Sequence, residues 1–117
     1  MFLKFPLFRS TLLSRSAFST RIYASADEAV ADMPDGSVIA SGGFGLCGIP
    51  ENLIAALKRK GVRDLTIMSN NVGLKDFGIG LLMHDKQIRR CVSSFVGSNK
   101  YVEEQYLAGE MELEITP

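Results

Sequence analysis

The sequence is poor in the residues that usually advertise chemistry: it has two cysteines, Cys47 and Cys91, and a single histidine, His84. Two thiols are too few for a disulfide-stapled secreted scaffold, and no cysteine or histidine spacing supports a zinc site. No stretch approaches eighteen consecutive apolar residues, so no membrane-spanning helix is expected. Acids are missing from the first 26 residues, which hold Lys4, Arg9, Arg15 and Arg21. From Asp27 onward nine bases face thirteen acids. So mildly acidic a body lacks the electrostatic footprint of a nucleic-acid partner. What remains is ordinary: 117 residues, 46% hydrophobic and 22% charged, enough for one small domain.

The opening MFLKFPLFRSTLLSRSAFSTRIY mixes Phe and Leu with Arg and Ser, the composition of a mitochondrial transit peptide. Pro6, Arg9 and Arg15 interrupt the apolar core that a secretory signal needs, while Phe5, Phe8 and Leu12 share one helical face. An ordinary first helix or a tail that happens to lack acids is the plainer reading. We assign residues 1–21 as leader, with processing expected between Ser19 and Tyr23, and residues 22–117 as the folded body.

In the body, Ser25 and Glu28 have capping-box spacing, with Ala29, Val30 and Met33 on the apolar side of a short helix. Pro34-Asp35-Gly36 turns the chain into a strand over Val38-Ile39-Ala40, expected to be covered on both faces. Pro50 suits the first turn of a helix carrying Leu53, Ile54 and Leu57, which Lys58-Arg59-Lys60 and Gly61 end. A second strand runs over Leu65–Met68 into Ser69-Asn70-Asn71, and a helix is predicted over residues 74–84. Ile88–Val96 reads as a third strand, followed by a helix capped by Ser98 that runs to Leu107. Met111, Leu113 and Ile115 alternate with Glu112 and Glu114, a strand with one wet face near the sheet's edge. Strand and helix alternation predicts an α/β fold with an open, largely parallel sheet and flanking helices. The stop at Thr116-Pro117, with no closing helix, reads as an interrupted domain.

Ligands approach such sheets at the carboxyl ends of the strands. There lie Gly42, Gly43, Phe44, Gly45 and Gly48 after the first strand, and Asn70-Asn71 after the second. Glycines let backbone N–H groups approach an anion or carbonyl, and the asparagines offer amide donors beside the same crevice. Gly43, Gly45 and Gly48 match GxGxxG formally, but the acid expected at the end of the second strand for a ribose is absent. The lysine and hydroxyl of a Walker A loop are missing as well.

The longer word is more specific. Asp35-Gly36, then Val38-Ile39-Ala40, then GGFGLCGIPENLI from Gly42 to Ile54 resemble the signature of the family I coenzyme A transferases. The likeness continues in LTIMSNNVG, in GIGLLM and in SSFVGSNKYVEEQYLAGEMELEITP, covering Ile22 to Pro117. With Cys47 and the leader, it is most similar to the family's mitochondrial, ketone-body branch. The resemblance implies transfer of CoA from succinyl-CoA to a 3-oxo acid such as acetoacetate, through covalent intermediates on a glutamate. It implies no metal, nicotinamide or flavin cofactor, the coenzyme A thioester being a substrate, and a homodimeric full-length enzyme in the mitochondrial matrix. Gly42, Gly43, Phe44, Gly45, Gly48, Asn70 and Asn71 match the family's first-domain pocket. The family's glutamate belongs to a second domain, and a glutamine that helps to stabilise the oxyanion follows its Thr-Pro. No catalytic residue is therefore assigned here, and the chain is expected to be a truncated part of the first domain, inactive alone. A non-catalytic acyl-CoA-binding or partner-binding fragment is the alternative.

The other polar candidates have plainer roles. Glu51 belongs to a first helical turn, where a carboxylate is stabilised as a spectator. Lys58-Arg59-Lys60 serves the helix end, His84 caps or lies at the surface, and Glu103-Glu104 and the acidic strand are solvated. Cys47 has no histidine near it in sequence, and Cys91 is expected inside a strand.

Overall fold

The computed structural model describes residues 20–117, so nearly all of the leader assigned to 1–21 lies outside the described residues. Four strands, β1 (Val38–Ala40), β2 (Leu65–Asn71), β3 (Ile88–Phe95) and β4 (Glu112–Ile115), form one parallel sheet in the order β1-β2-β3-β4. Between them run α1 (Ala26–Ala29), α2 (Glu51–Lys60), α3 (Gly80–Met83) and α4 (Lys100–Leu107). Each crossover returns the chain beside the strand it left, so the alternation expected from sequence is the alternation found.

Register explains the core. Ile39, Ile67, Cys91 and Leu113 are aligned across all four strands, and the helices cover this row. Ile54 and Leu57 of α2, Leu82 and Met83 of α3 and Val102 of α4 complete the packing, all buried. Each such Leu or Ile contributes about 1.5–3 kcal/mol by leaving water. The opposite face carries Val38, Thr66, Arg90 and Glu112 in one row and Ala40, Met68, Val92 and Glu114 in the next. Val38 is 64% exposed. The expectation that β1 is covered on both faces is thus corrected: β1 is an edge strand with one face open. β4 is the other edge, as its alternation predicted.

Polar ties run between elements. Lys60 Nζ donates to the carbonyls of Val30 (2.8 Å), Ala31 (2.6 Å) and Met33 (2.6 Å), gripping the chain where α1 ends. Arg59 pairs with Asp27 at 2.8 Å, and Lys58 with Asp85 at 3.0 Å. The basic run is therefore three inter-element ties, more than helix-end electrostatics. Buried Gln87 donates to the carbonyls of Leu57, which also accepts from Gly61 N, and of Val62, tying the start of β3 to the end of α2. Glu112 and Glu114, expected to be merely solvated, pair across the strands with Arg89 and Arg90. Exposed pairs of this kind contribute little.

Three further expectations are corrected. Pro50 sits at the cap of α2, one residue before its first turn, its carbonyl accepting from Ile54 N at 3.0 Å. Asn99, not Ser98, caps α4 by accepting from Tyr101 N at 3.1 Å, because its amide is also held by the Val72 carbonyl. Of the helix predicted over 74–84, Gly80–Met83 is α-helical, while Leu74 to Phe77 form a separate hairpin.

Cys91 lies inside the sheet as expected, and burial pushes its thiol up to about 11 from 9.0. The unfolded thiol ionises first, so the contribution is complete below pH 9 and is lost as pH rises toward 11. Chemical denaturation across this window should show a fall of about 2–3 kcal/mol that Cys91→Ala abolishes. An unchanged slope in the variant would assign the fall to other groups.

Candidate functional site

At the carboxyl end of β1, Ser41 N–H still donates to the Met68 carbonyl at 2.9 Å, and then the chain leaves the sheet. Residues 44–47 close a tight hairpin in which Phe44 and Cys47 exchange both backbone hydrogen bonds, at 2.9 and 3.0 Å. Glycine is required at the turn into it: Gly43 has φ +121°, and a Cβ there would lie 2.4 Å from Ile49 Cγ2. With Phe44 and Cys47 committed to each other, the N–H groups of Gly45, Leu46 and Gly48 have no acceptor among the described residues. The loop therefore offers backbone donors at the strand end, where ligands approach a parallel sheet. Phe44, 75% exposed, stands at its rim.

A second hairpin of the same build follows β2. Leu74 and Phe77 exchange backbone bonds at 3.2 and 3.3 Å, flanked by Gly73 and Gly78 with φ of +66° and +63°. The sequence carried the signal, because GFGLCGI at 43–49 and GLKDFGI at 73–79 share glycine, two apolar hairpin partners, glycine and isoleucine in the same places. Leucine-rich periodicity across residues 74–84 masked that repeat. The two hairpins stand side by side because β1 and β2 are neighbours, and Ile49 and Leu46 of the first reach Gly78 of the second.

The structure gathers Gly42, Gly43, Phe44, Gly45 and Gly48 into the first hairpin, but it separates Asn70 from Asn71. Strand alternation turns the two side chains to opposite faces. Asn70 is exposed and donates to Ser94 Oγ at 3.1 Å. Asn71 Oδ1 accepts from Gly73 N at 3.1 Å, so its side chain starts the second hairpin. Asn70 is consequently the one of the pair with its amide on the open face, beside Ser94. Ser93, buried on the other face, donates to the Asn70 carbonyl at 2.9 Å and holds the strand end.

His84 lies elsewhere. Its Nε2 meets the Lys75 carbonyl at 2.9 Å and Asp76 at 3.1 Å, and its ring packs on Tyr101 with centroids 4.8 Å apart. It anchors the second hairpin to the helical layer. Cys47 gives its backbone to the first hairpin and leaves its thiol exposed. Glu51 opens α2 as an exposed first-turn acid. Among the described residues no three His, Cys, Asp or Glu side chains are grouped to hold a metal ion, and no helix is long and apolar enough to cross a membrane.

Comparison with known proteins agrees with this architecture. A family profile described as Coenzyme A transferase matches residues 23–117. The chain is 59% identical over 97 residues to human mitochondrial succinyl-CoA:3-ketoacid coenzyme A transferase 2, covering 83% of this chain and 19% of that protein. It is 55% identical over 111 residues to mouse mitochondrial transferase 2B, covering 95% of this chain and 21% of the relative. A bacterial relative from Mycobacterium tuberculosis, a probable succinyl-CoA:3-ketoacid coenzyme A transferase subunit, is 59% identical over 97 residues, which is 83% of this chain and 39% of the relative. The chain thus spans about a fifth of the mitochondrial relatives and about two-fifths of the bacterial one. Among solved structures, the decarboxylase AibA/AibB superposes with a TM-score of 0.65 at 25% identity, over 80% of this chain and 37% of that one. An E. coli O157:H7 acyl-CoA transferase, solved as a thioester complex with CoA, superposes at 0.66 and 23% identity, over 80% and 20% of the two chains, and shares the fold.

The hairpin geometry makes a specific demand on Gly43. Gly43→Ala combines an unfavourable positive φ with overlap on Ile49, and should cost about 2–4 kcal/mol in urea unfolding. Gly36→Ala, with φ +76° and no atom within 4 Å of the added Cβ, should cost clearly less. Equal losses would show that backbone strain alone, without the Ile49 contact, sets the requirement.

Proposed function

The chain belongs to the coenzyme A transferase family, and from that premise we propose that it forms one wall of the site at which CoA passes from succinyl-CoA to a 3-oxo acid such as acetoacetate, in mitochondrial ketone-body catabolism. The observation that carries this reading is the first hairpin, whose Gly45, Leu46 and Gly48 N–H groups lack acceptors among the described residues at the end of a parallel strand. Such preorganised donors suit a thioester carbonyl that gains negative charge when attacked, since they need no reorganisation as charge develops.

In this reading the attacking carboxylate comes from a second domain. It adds to the acyl carbonyl, the C–S bond breaks, and an acyl–glutamyl anhydride forms with release of the CoA thiolate. The thiolate then attacks the glutamyl carbonyl and expels the first acid. A second carboxylate attacks the resulting glutamyl–CoA thioester, and the thiolate returns to the new acyl group. In this proposal Glu51, an exposed first-turn acid, and His84, tied to the second hairpin, are spectators. The small-molecule partners are accordingly an acyl-CoA and a 3-oxo acid, with Asn70 and the hairpin forming the wall and the matrix as the compartment. A homodimeric full-length enzyme and the absence of any further cofactor remain part of this proposal. The open face of the sheet, with Val38 and Met68 exposed, supports a second reading in which the chain docks on a partner protein without turnover.

The test is CoA exchange between succinyl-CoA and acetoacetate, with the chain alone and with a glutamate-bearing second domain added. Exchange in the mixture only is the expected result. Exchange by the chain alone would place the nucleophile within it. Its absence from both, with the chain folded, would favour the partner-binding reading.

A further inference from the structure

We propose that the second hairpin, Gly73 to Gly78, is the positioning element for the first, and that it acts through the side-chain-free surface at Gly78; the inference rests on reading residues 42–48 as the binding wall. The two hairpins share a build but not a support. The second is tied down by side chains from three elements. Asn71 of β2 accepts from Gly73 N at 3.1 Å, Asn99 at the start of α4 donates to the Val72 carbonyl at 3.2 Å, and His84 after α3 meets Lys75 and Asp76. Beneath it, the Leu74 carbonyl presses on Gly80 so closely that a Cβ there would lie 1.7 Å from the oxygen.

The first hairpin has no comparable set of side-chain hydrogen bonds among the described residues, although Ile49 beside it also packs on the core and its carbonyl accepts from Glu51 N at 3.0 Å. Its own two backbone bonds close it, and Ser41 Oγ reaches only the neighbouring Gly42 carbonyl. Its apolar side chains instead lean on the second hairpin. A Cβ placed on Gly78 would lie 3.1 Å from Ile49 Cδ1 and 3.5 Å from Leu46 Cδ2. Packed surfaces transmit displacement because they hold few voids. The loop held by more side-chain hydrogen bonds therefore sets the place of its neighbour, and with it the direction of the Gly45, Leu46 and Gly48 N–H groups. Gly78 is a positioning residue in this scheme and touches no substrate.

Amide hydrogen exchange in the full chain, read residue by residue by NMR, tests the coupling. Gly78→Ala should speed exchange at Phe44 and Cys47 by roughly tenfold, while Ile67 and Cys91 in the sheet keep their protection. Adding Ile49→Val, which removes the methyl nearest the new Cβ, should restore most of that protection. Gly61→Ala carries a similar backbone strain, φ +73° with nothing within 4 Å, and should leave Phe44 and Cys47 unchanged. Equal acceleration throughout the sheet, or no rescue by Ile49→Val, would overturn the proposal. Succinyl-CoA affinity, measured by calorimetry on the same variants, separates the two layers of inference. A loss with Gly78→Ala that the double variant reverses supports both. Altered exchange with unaltered succinyl-CoA binding upholds the coupling and rejects the binding wall.

Discussion

The carboxyl edge of this sheet depends on main chain passing where no Cβ fits. The Leu74 carbonyl occupies the space a side chain at Gly80 would need, and the Phe77 carbonyl and Ile49 do the same at Gly73 and Gly43. These contacts let two adjacent strands each turn through a tight hairpin before the helical layer resumes. Glycine is needed here for closeness, and at Gly43 and Gly73 for a positive φ as well. Once the backbone is this tightly folded, the amides at each hairpin tip are left out of secondary structure and become available as donors.

A one-sided helical layer sets the second constraint. With strands in sequential order, the row from Ile39 to Leu113 is covered while the row from Val38 to Glu112 is not. Charges on the open face are kept in hand by strand pairing, as Arg90 with Glu114 illustrates, and the apolar residues beside them stay wet. On the covered side, Lys58, Arg59 and Lys60 each bind a different neighbour, so a cluster that could pass for an anion site is occupied with holding α1 and α3 against α2. The N–H groups of Gly45, Leu46 and Gly48 lack acceptors among the described residues, and Asn70 lies exposed on the open face beside Ser94.

Much of this was legible in local pattern. Ser25 does cap α1, accepting from Glu28 N at 3.1 Å, and Gly61 ends α2 in the left-handed conformation. Alternation at Met111–Ile115 pointed to an edge strand, and the glycine cluster after Ala40 marked the loop that forms the first hairpin. The errors came where a local signal had two readings. Leucine and isoleucine over residues 74–84 fit a helix by periodicity, yet Gly73 and Gly78 at positive φ made a hairpin of their first half. Ser98 and Asn99 are both good caps; the Val72 carbonyl, distant in sequence, chose between them.

The sequence by itself determined the period of each element, the places where the chain could turn, and the word that ties it to the transferases, because propensity, capping and glycine's conformational freedom act within a few residues. Tertiary structure alone decided which face of the sheet is covered and which carbonyls the lysines bind. It also decided that one hairpin leans on the other. Those outcomes depend on register and on packing between residues some thirty positions apart, where a single sequence leaves several pairings equally open until the core closes on one of them.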